Sequence, residues 1–164
     1  MAPKLALPNL AYSLGAIVAL LDQLSKFWVL EILRLPEKGR VPVLPFFDLT
    51  LVANRGVSFG LFRSDGDLGR WLLAAFSLIV VLALAIYVRK ARRWWTAVSV
   101  GLIMGGAVGN LVDRVRFGAV TDFLDFSKLY FPWVFNVADA AINVGIALLL
   151  IETFLMPERN KSPR

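Results

Sequence analysis

Apolar positions gather into four runs, Leu10–Leu30, Trp71–Val88, Trp95–Val112 and Val137–Met156, separated by polar stretches. The second and third are 18 residues each without one charge, long enough to cross a hydrocarbon core as helices. The first carries Asp22, Gln23, Ser25 and Lys26 in its second half. No small-x-small cleavage pattern follows it, so it reads as a retained helix rather than a removable leader. Between the first two runs, residues 31–70 change pattern: Val41 to Phe62 has strand character, PVLPFFDLTLV alternates in part, and Pro36, Pro42 and Pro45 punctuate its start. NRGVSFG, residues 54–60, is a turn-rich stretch, and RSDGDLGR, residues 63–70, reads as a solvated connection. The expected fold is a mostly α membrane protein, one polytopic unit over residues 1–164, with four transmembrane helices at 10–30, 71–88, 95–112 and 137–156. A small β-rich domain is expected in the first loop, residues 31–70, and a second polar loop at 113–136. Residues 1–9 and the terminal PERNKSPR read as tails.

Composition sharpens this picture. The chain is 58% hydrophobic and 18% charged, more apolar surface than a soluble domain of 164 residues could hide. The formal net charge of +6 clusters beside the apolar runs, which fits anionic lipid and topology control rather than nucleic acid. RKARR, residues 89–93, concentrates four cations in one short loop, and Arg159, Lys161 and Arg164 follow the last run. The nine cations of the other two loops are spread out and balanced by acids. Both termini and RKARR are therefore expected on the cytoplasmic side, and the two long loops at the outer surface of a cytoplasmic membrane. Trp71, Trp94 and Trp95 stand where interfacial aromatics belong. Gly101, Gly105 and Gly109 repeat a small-xxx-small spacing that permits close helix contact.

Chemistry is constrained by what is missing. The chain has no cysteine and no histidine, which removes thiol nucleophiles, Ser-His triads and His or Cys metal sites. Carboxylates remain, and they are expensive beside apolar surroundings. Asp122 and Asp139 are the pair expected to meet at one membrane surface. Two carboxylates sharing a site cannot both ionise easily, so one holds a proton while the other can activate water. Each aspartate also has a plainer reading. Asn136 and Asp139 have the spacing of an N-cap and an acid in the first turn, although Asn143 extends a polar stripe at i, i+3, i+7 that points inward. Asp122 and Asp125 can be a solvated loop pair. Asp22 and Lys26, spaced i, i+4, can neutralise each other with Lys26 snorkelling, or can shape a site. Ser25 and Lys26 are adjacent and point about 100° apart on a helix, against a Ser/Lys dyad. Gly106, Asn110, Asp113 and Arg114 fall together on a helical surface that faces protein or a cavity.

Five motifs, DQLSK at 22–26, NRGVSFG at 54–60, GGAVGNLVDRV at 105–115, GAVTDFLDF at 118–126 and FNVADAAI at 135–142, occur in an order that resembles the lipoprotein signal peptidases, or signal peptidase II. Ala140 stands where many members carry Ser, and Ser25 where Thr is frequent. The resemblance implies an aspartic peptidase without metal or cofactor, with Asp122 and Asp139 catalytic. It further implies that Asn54, Gly106, Asn110, Arg114 and Asn136 line the active site, with Asp22, Lys26, Arg55 and Asp113 in support. The implied substrate is a prolipoprotein whose Cys already bears a diacylglyceryl group, cleaved just before that Cys. Membrane phospholipid is the surrounding partner, nucleic acid is not a partner, and a monomer suffices. Two rival readings differ in kind. A transporter using Asp22, Asp113 and Asp139 as a relay would need charges across the bilayer, absent from the second and third runs, and no internal repeat is evident. A non-catalytic scaffold would tolerate Asp122→Asn and Asp139→Asn.

Overall fold

The computed structural model describes residues 7–56, 67–130 and 133–155. Its long helices are α1 (Leu7–Phe27), α3 (Asp67–Tyr87), α4 (Trp94–Phe117) and α5 (Val137–Leu155). A single turn, α2 (Leu35–Lys38), follows α1. All four long helices have the length and apolarity to cross a membrane. The strands are β1 (Arg40–Leu44), β2 (Phe47–Asn54), β3 (Val120–Asp125) and β4 (Val134–Phe135). They form one antiparallel sheet in the order β1-β2-β3-β4.

α4 is the central helix, packed against α1, α3 and α5. Its glycines make that possible. A Cβ on Gly105 would stand 2.5 Å from the Gly15 carbonyl oxygen of α1, and one on Gly145 of α5 would stand 2.8 Å from the Ser99 carbonyl oxygen of α4. Gly101, Gly105 and Gly109 all face α1, as the small-xxx-small spacing anticipates. Gly106 points the other way, where a Cβ would strike the Ala138 carbonyl and Ile142 of α5. One helix thus approaches two neighbours closely through adjacent glycine rows.

The elements depart from the sequence reading where polar groups find protein partners. α4 runs past Val112 to Phe117, so Asp113 and Arg114 belong to a helix rather than to the following loop. It ends at Gly118, whose φ of 75° places it in the left-handed region. Arg70 holds that end: its Nε donates to the Arg114 carbonyl at 2.7 Å and its Nη2 to the Val115 carbonyl at 2.6 Å. Arg70 therefore sits on α3 as a tie between helices, not in a solvated connection. α1 likewise starts at Leu7, and its last turn widens into a π-turn over Trp28–Ile32.

The sheet draws on both long loops. The first loop contributes β1 and β2, and the second contributes β3 and β4. The expected strand region divides at Pro45 and Phe46, while residues 57–62 of it lie outside the described residues. β1 is an edge strand, where Pro42 is tolerated, and the pairing shifts register between Pro42 and Leu44. Val29, Leu35, Leu49 and Phe123 form a small core between the end of α1 and the sheet. That core fixes β3 to the end of the helix bundle, and β3 carries Asp122.

Candidate active site

Three elements bring the central groups together. β3 places Asp122, the first turn of α5 places Asp139 three positions after Asn136, and the last turns of α4 place Asn110 and Arg114. Asp122 is buried, with 1% exposure, and Asp139 is half-buried. The Asn136 amide Nδ2 donates to Asp122 Oδ1 at 2.7 Å and to Asn110 Oδ1 at 3.2 Å. Asn110 Nδ2 in turn donates to Asp139 Oδ1 at 2.8 Å. From β2, Asn54 Nδ2 donates to Asp122 Oδ2 at 3.0 Å. Two carboxylates are thus joined through a chain of neutral amides.

Asn136 has two tasks at once. Its Oδ1 accepts the backbone N–H of Asp139 at 2.8 Å, which caps α5, while its Nδ2 holds Asp122. One side chain thus both caps α5 and reaches Asp122. Burial first, and then the charge of Asp139, push the Asp122 carboxyl up from 3.8 to about 6, against the amide donors Asn54 and Asn136. The Arg114 guanidinium lies within electrostatic reach of Asp139, Asp122 and Asp113, and its Nη1 donates to the Asn110 carbonyl at 3.4 Å.

Behind this layer lies a buried ionic cluster. Lys26, 3% exposed, does not snorkel: its Nζ sits 2.8 Å from Asp22 Oδ2 and 2.8 Å from Asp113 Oδ2. Gln23, whose part the sequence reading missed, donates to Asp22, to Asp113 at 2.9 Å and to the Gly109 carbonyl. Its place beside Asp22 in DQLSK was the available signal. Ser25 donates to the Asp22 carbonyl of its own helix at 2.7 Å, a local bond that makes no dyad with Lys26. A Cβ on Gly109 would meet Asp22 Oδ2 at 2.5 Å, so glycine there leaves room for the carboxylate.

Other expectations resolve differently. Asn143 is exposed on α5, so the inward stripe ends at Asp139. Gly106 is at the α4–α5 crossing, against Ala138 and Ile142. Arg55, next to Asn54, is exposed. Asp125 is part of neither layer: its carboxylate accepts from Thr50 Oγ1 at 2.7 Å and from the Ser127 N–H at 2.9 Å. At the opposite end of the bundle, Glu152 of α5 accepts from Thr96 of α4 at 2.9 Å, far along both helices from Asp139 and Asn110.

Among the described residues, four membrane-length helices with two carboxylates joined through amides at one end define a polytopic membrane protein. The sequence model of the family Signal peptidase (SPase) II matches residues 14–155, and the chain belongs to that family, which makes it a membrane peptidase. It is 53% identical to the lipoprotein signal peptidase of Caulobacter vibrioides over 154 residues, covering 93% of this chain and 91% of the relative. The lipoprotein signal peptidase of Rhodopseudomonas palustris is 44% identical, covering 91% of this chain and 94% of that one. Among solved structures, a bacterial membrane enzyme determined by the in meso method at 2.3 Å superposes with a TM-score of 0.76 at 26% identity, over 94% of this chain and 92% of the other.

Proposed function

We propose that this peptidase is of the aspartic type and processes bacterial prolipoproteins, cutting just before a Cys that already carries a diacylglyceryl group. The observation that carries the reading is the shared hydrogen-bond chain from Asp122 through Asn136 and Asn110 to Asp139. Asp122, pushed up by burial and by Asp139, and Asp139 share one proton. The ionised member takes a proton from water while the water oxygen attacks the scissile carbonyl. The protonated member gives its proton to the carbonyl oxygen, and a tetrahedral gem-diol results. On collapse one carboxyl gives its proton to the amide nitrogen, the other takes one back from a gem-diol hydroxyl, the C–N bond breaks, and a new carboxyl end and the lipidated Cys amine leave.

Asn54, Asn110 and Asn136 hold the two carboxylates at their stations. Arg114 faces both and donates to the substrate backbone, keeping it extended. Gly106 serves by letting α5, and with it Asp139, approach α4. Arg55 supports Asn54 from the end of β2. No metal or cofactor takes part. The acyl chains remain among membrane phospholipid while the peptide reaches the pair, so lipid and the lipidated prolipoprotein are the partners, nucleic acid is not, and a monomer suffices. The cation distribution supports both termini on the cytoplasmic side and the acidic pair near the outer surface of the inner membrane.

A gel-shift assay tests this. Purified protein in detergent meets a diacylglyceryl-modified prolipoprotein and its unlipidated form, beside Asp122→Asn and Asp139→Asn. The expected result is cleavage of the lipidated substrate alone, lost in both folded variants. Cleavage retained by either variant would overturn the acidic pair, and equal cleavage of both substrates would overturn the lipid requirement.

A further inference from the structure

The buried cluster of Asp22, Lys26 and Asp113 touches backbone at two places only one residue from the acidic pair. Asp113 Oδ2 accepts the N–H of Thr121 at 2.9 Å, and Thr121 directly precedes Asp122. Asp22 Oδ1 accepts the N–H of Ala138 at 2.9 Å, and Ala138 directly precedes Asp139. These amides belong to different elements, β3 and α5. Lys26 lies between the two carboxylates, 2.8 Å from each, and Gln23 bonds both. All three ionic groups are at most 3% exposed.

We propose that Lys26 is a positioning residue that sets the separation of Asp122 and Asp139, acting through Asp113 on the Thr121 amide and through Asp22 on the Ala138 amide. The assignment of a purpose to that separation rests on the catalytic reading above; the clamp itself rests on geometry alone. Two carboxylates this close repel each other, and the cation between them offsets the repulsion and holds both in place. With the Lys26 ammonium absent, one of them turns away, and the amide that it held is released. The two ends are then free to drift by different amounts. A displacement of about 1 Å at reacting groups is enough to cost about a hundredfold in rate. A residue that merely stabilised the bundle would protect backbone amides generally, whereas this arrangement predicts effects at two named amides.

The test combines site-resolved amide exchange with kinetics on the full chain in detergent. In Lys26→Met, the amides of Thr121 and Ala138 should both exchange faster while the α3 amides keep their protection. Asp113→Asn should release mainly Thr121, and Asp22→Asn mainly Ala138, which keeps the proposal testable even where Lys26→Met does not fold. Cleavage of a lipidated prolipoprotein should fall about a hundredfold in kcat with KM little changed, and Lys26→Arg should restore part of it. The Lys26→Met/Asp113→Asn double variant should be no slower than the slower single variant, because both act on one path. Unchanged exchange at both amides, or independent and multiplicative losses in the double variant, would overturn the clamp. Faster exchange with cleavage still present in Asp122→Asn would leave the clamp standing and overturn the catalytic reading instead.

Discussion

Asp122 and Asp125 stand three positions apart on one strand, and both are buried, with 1% and 5% exposure. Their surroundings drive them in opposite directions. Asp122 is pushed up to about 6 by burial and by Asp139, with amide donors opposing. For Asp125, burial acts upward too, but bonds from Ser127 and Thr50 and the charge of Arg40 outweigh it and hold the carboxyl below its ordinary value. Its cross-strand neighbour Asp48 is likewise held down, by Lys128 first, against burial, and with Arg40 adding to the effect. Lys128 Nζ lies 2.7 Å from Asp48 Oδ1, and Arg40 pairs with its other oxygen. The difference teaches that burial alone does not make a carboxylate reactive. Cations and hydroxyls settle the Asp48–Asp125 pair as an ionic strut of the sheet. Neutral amides and a second carboxylate surround Asp122, and its carboxyl is raised instead.

The widest expected gap between the two pairs is in activity. Asp122→Asn and Asp139→Asn should each lower cleavage by about a thousandfold or more, whereas Asp125→Asn should keep most of the rate and instead lower the thermal unfolding midpoint. An Asp125→Asn enzyme as inactive as Asp122→Asn would erase the contrast. Next in size is the packing behind the site. Gly106→Ala drives a methyl against the Ala138 carbonyl and should cost about 1–3 kcal/mol of stability, read as a lower midpoint in detergent, with loss of cleavage. Asn136→Ala should follow at about 1 kcal/mol for the lost cap, with a larger loss in kcat than that cost explains, since Asp122 also loses a donor.

The smallest effects concern protons. Because the Asp122 carboxyl is raised from 3.8 to about 6 in the folded chain, the folded state binds the proton more tightly than the unfolded one. Its contribution to stability is therefore full below pH 3.8, declines as pH rises and is lost above about 6. Unfolding at a series of pH values should show this decline in the parent and a flatter profile in Asp122→Asn. Asp139→Asn should move the Asp122 titration downward by removing the neighbouring charge, which carboxyl chemical shifts would follow. No movement would mean that burial alone sets Asp122.

Much of the fold was legible because its signals are local. Apolar run length located all four helices, and the spacing of Gly101, Gly105 and Gly109 foretold a close helix contact, which α1 makes. The helix ends were less legible. Asp113 and Arg114 share a helical surface with Gly106 and Asn110 but fall past the end of the apolar run, and Arg70 falls just before one. Charge ordinarily ends an apolar helix; here each finds a protein partner that lets the helix continue. Asn143 misled for a related reason: helical spacing puts it near Asp139, but the neighbouring helices do not cover that part of α5. Lys26 was ambiguous because i, i+4 spacing to Asp22 says nothing about Asp113, which arrives from another helix.

The sequence by itself determined a four-helix membrane protein without His or Cys chemistry, and its motif order pointed to the family. Hydrophobic run length, residue absence and linear motifs need no knowledge of what lies across the molecule. Only the tertiary structure decided that the sheet is built from both long loops and that β3 carries Asp122 to the first turn of α5. It also decided that Asp122 is met by amides and Asp125 by Arg40 and a hydroxyl, and that one buried lysine sits behind both ends of the acidic pair. These outcomes depend on contacts between residues far apart in the chain. A carboxylate takes its character from the groups that surround it.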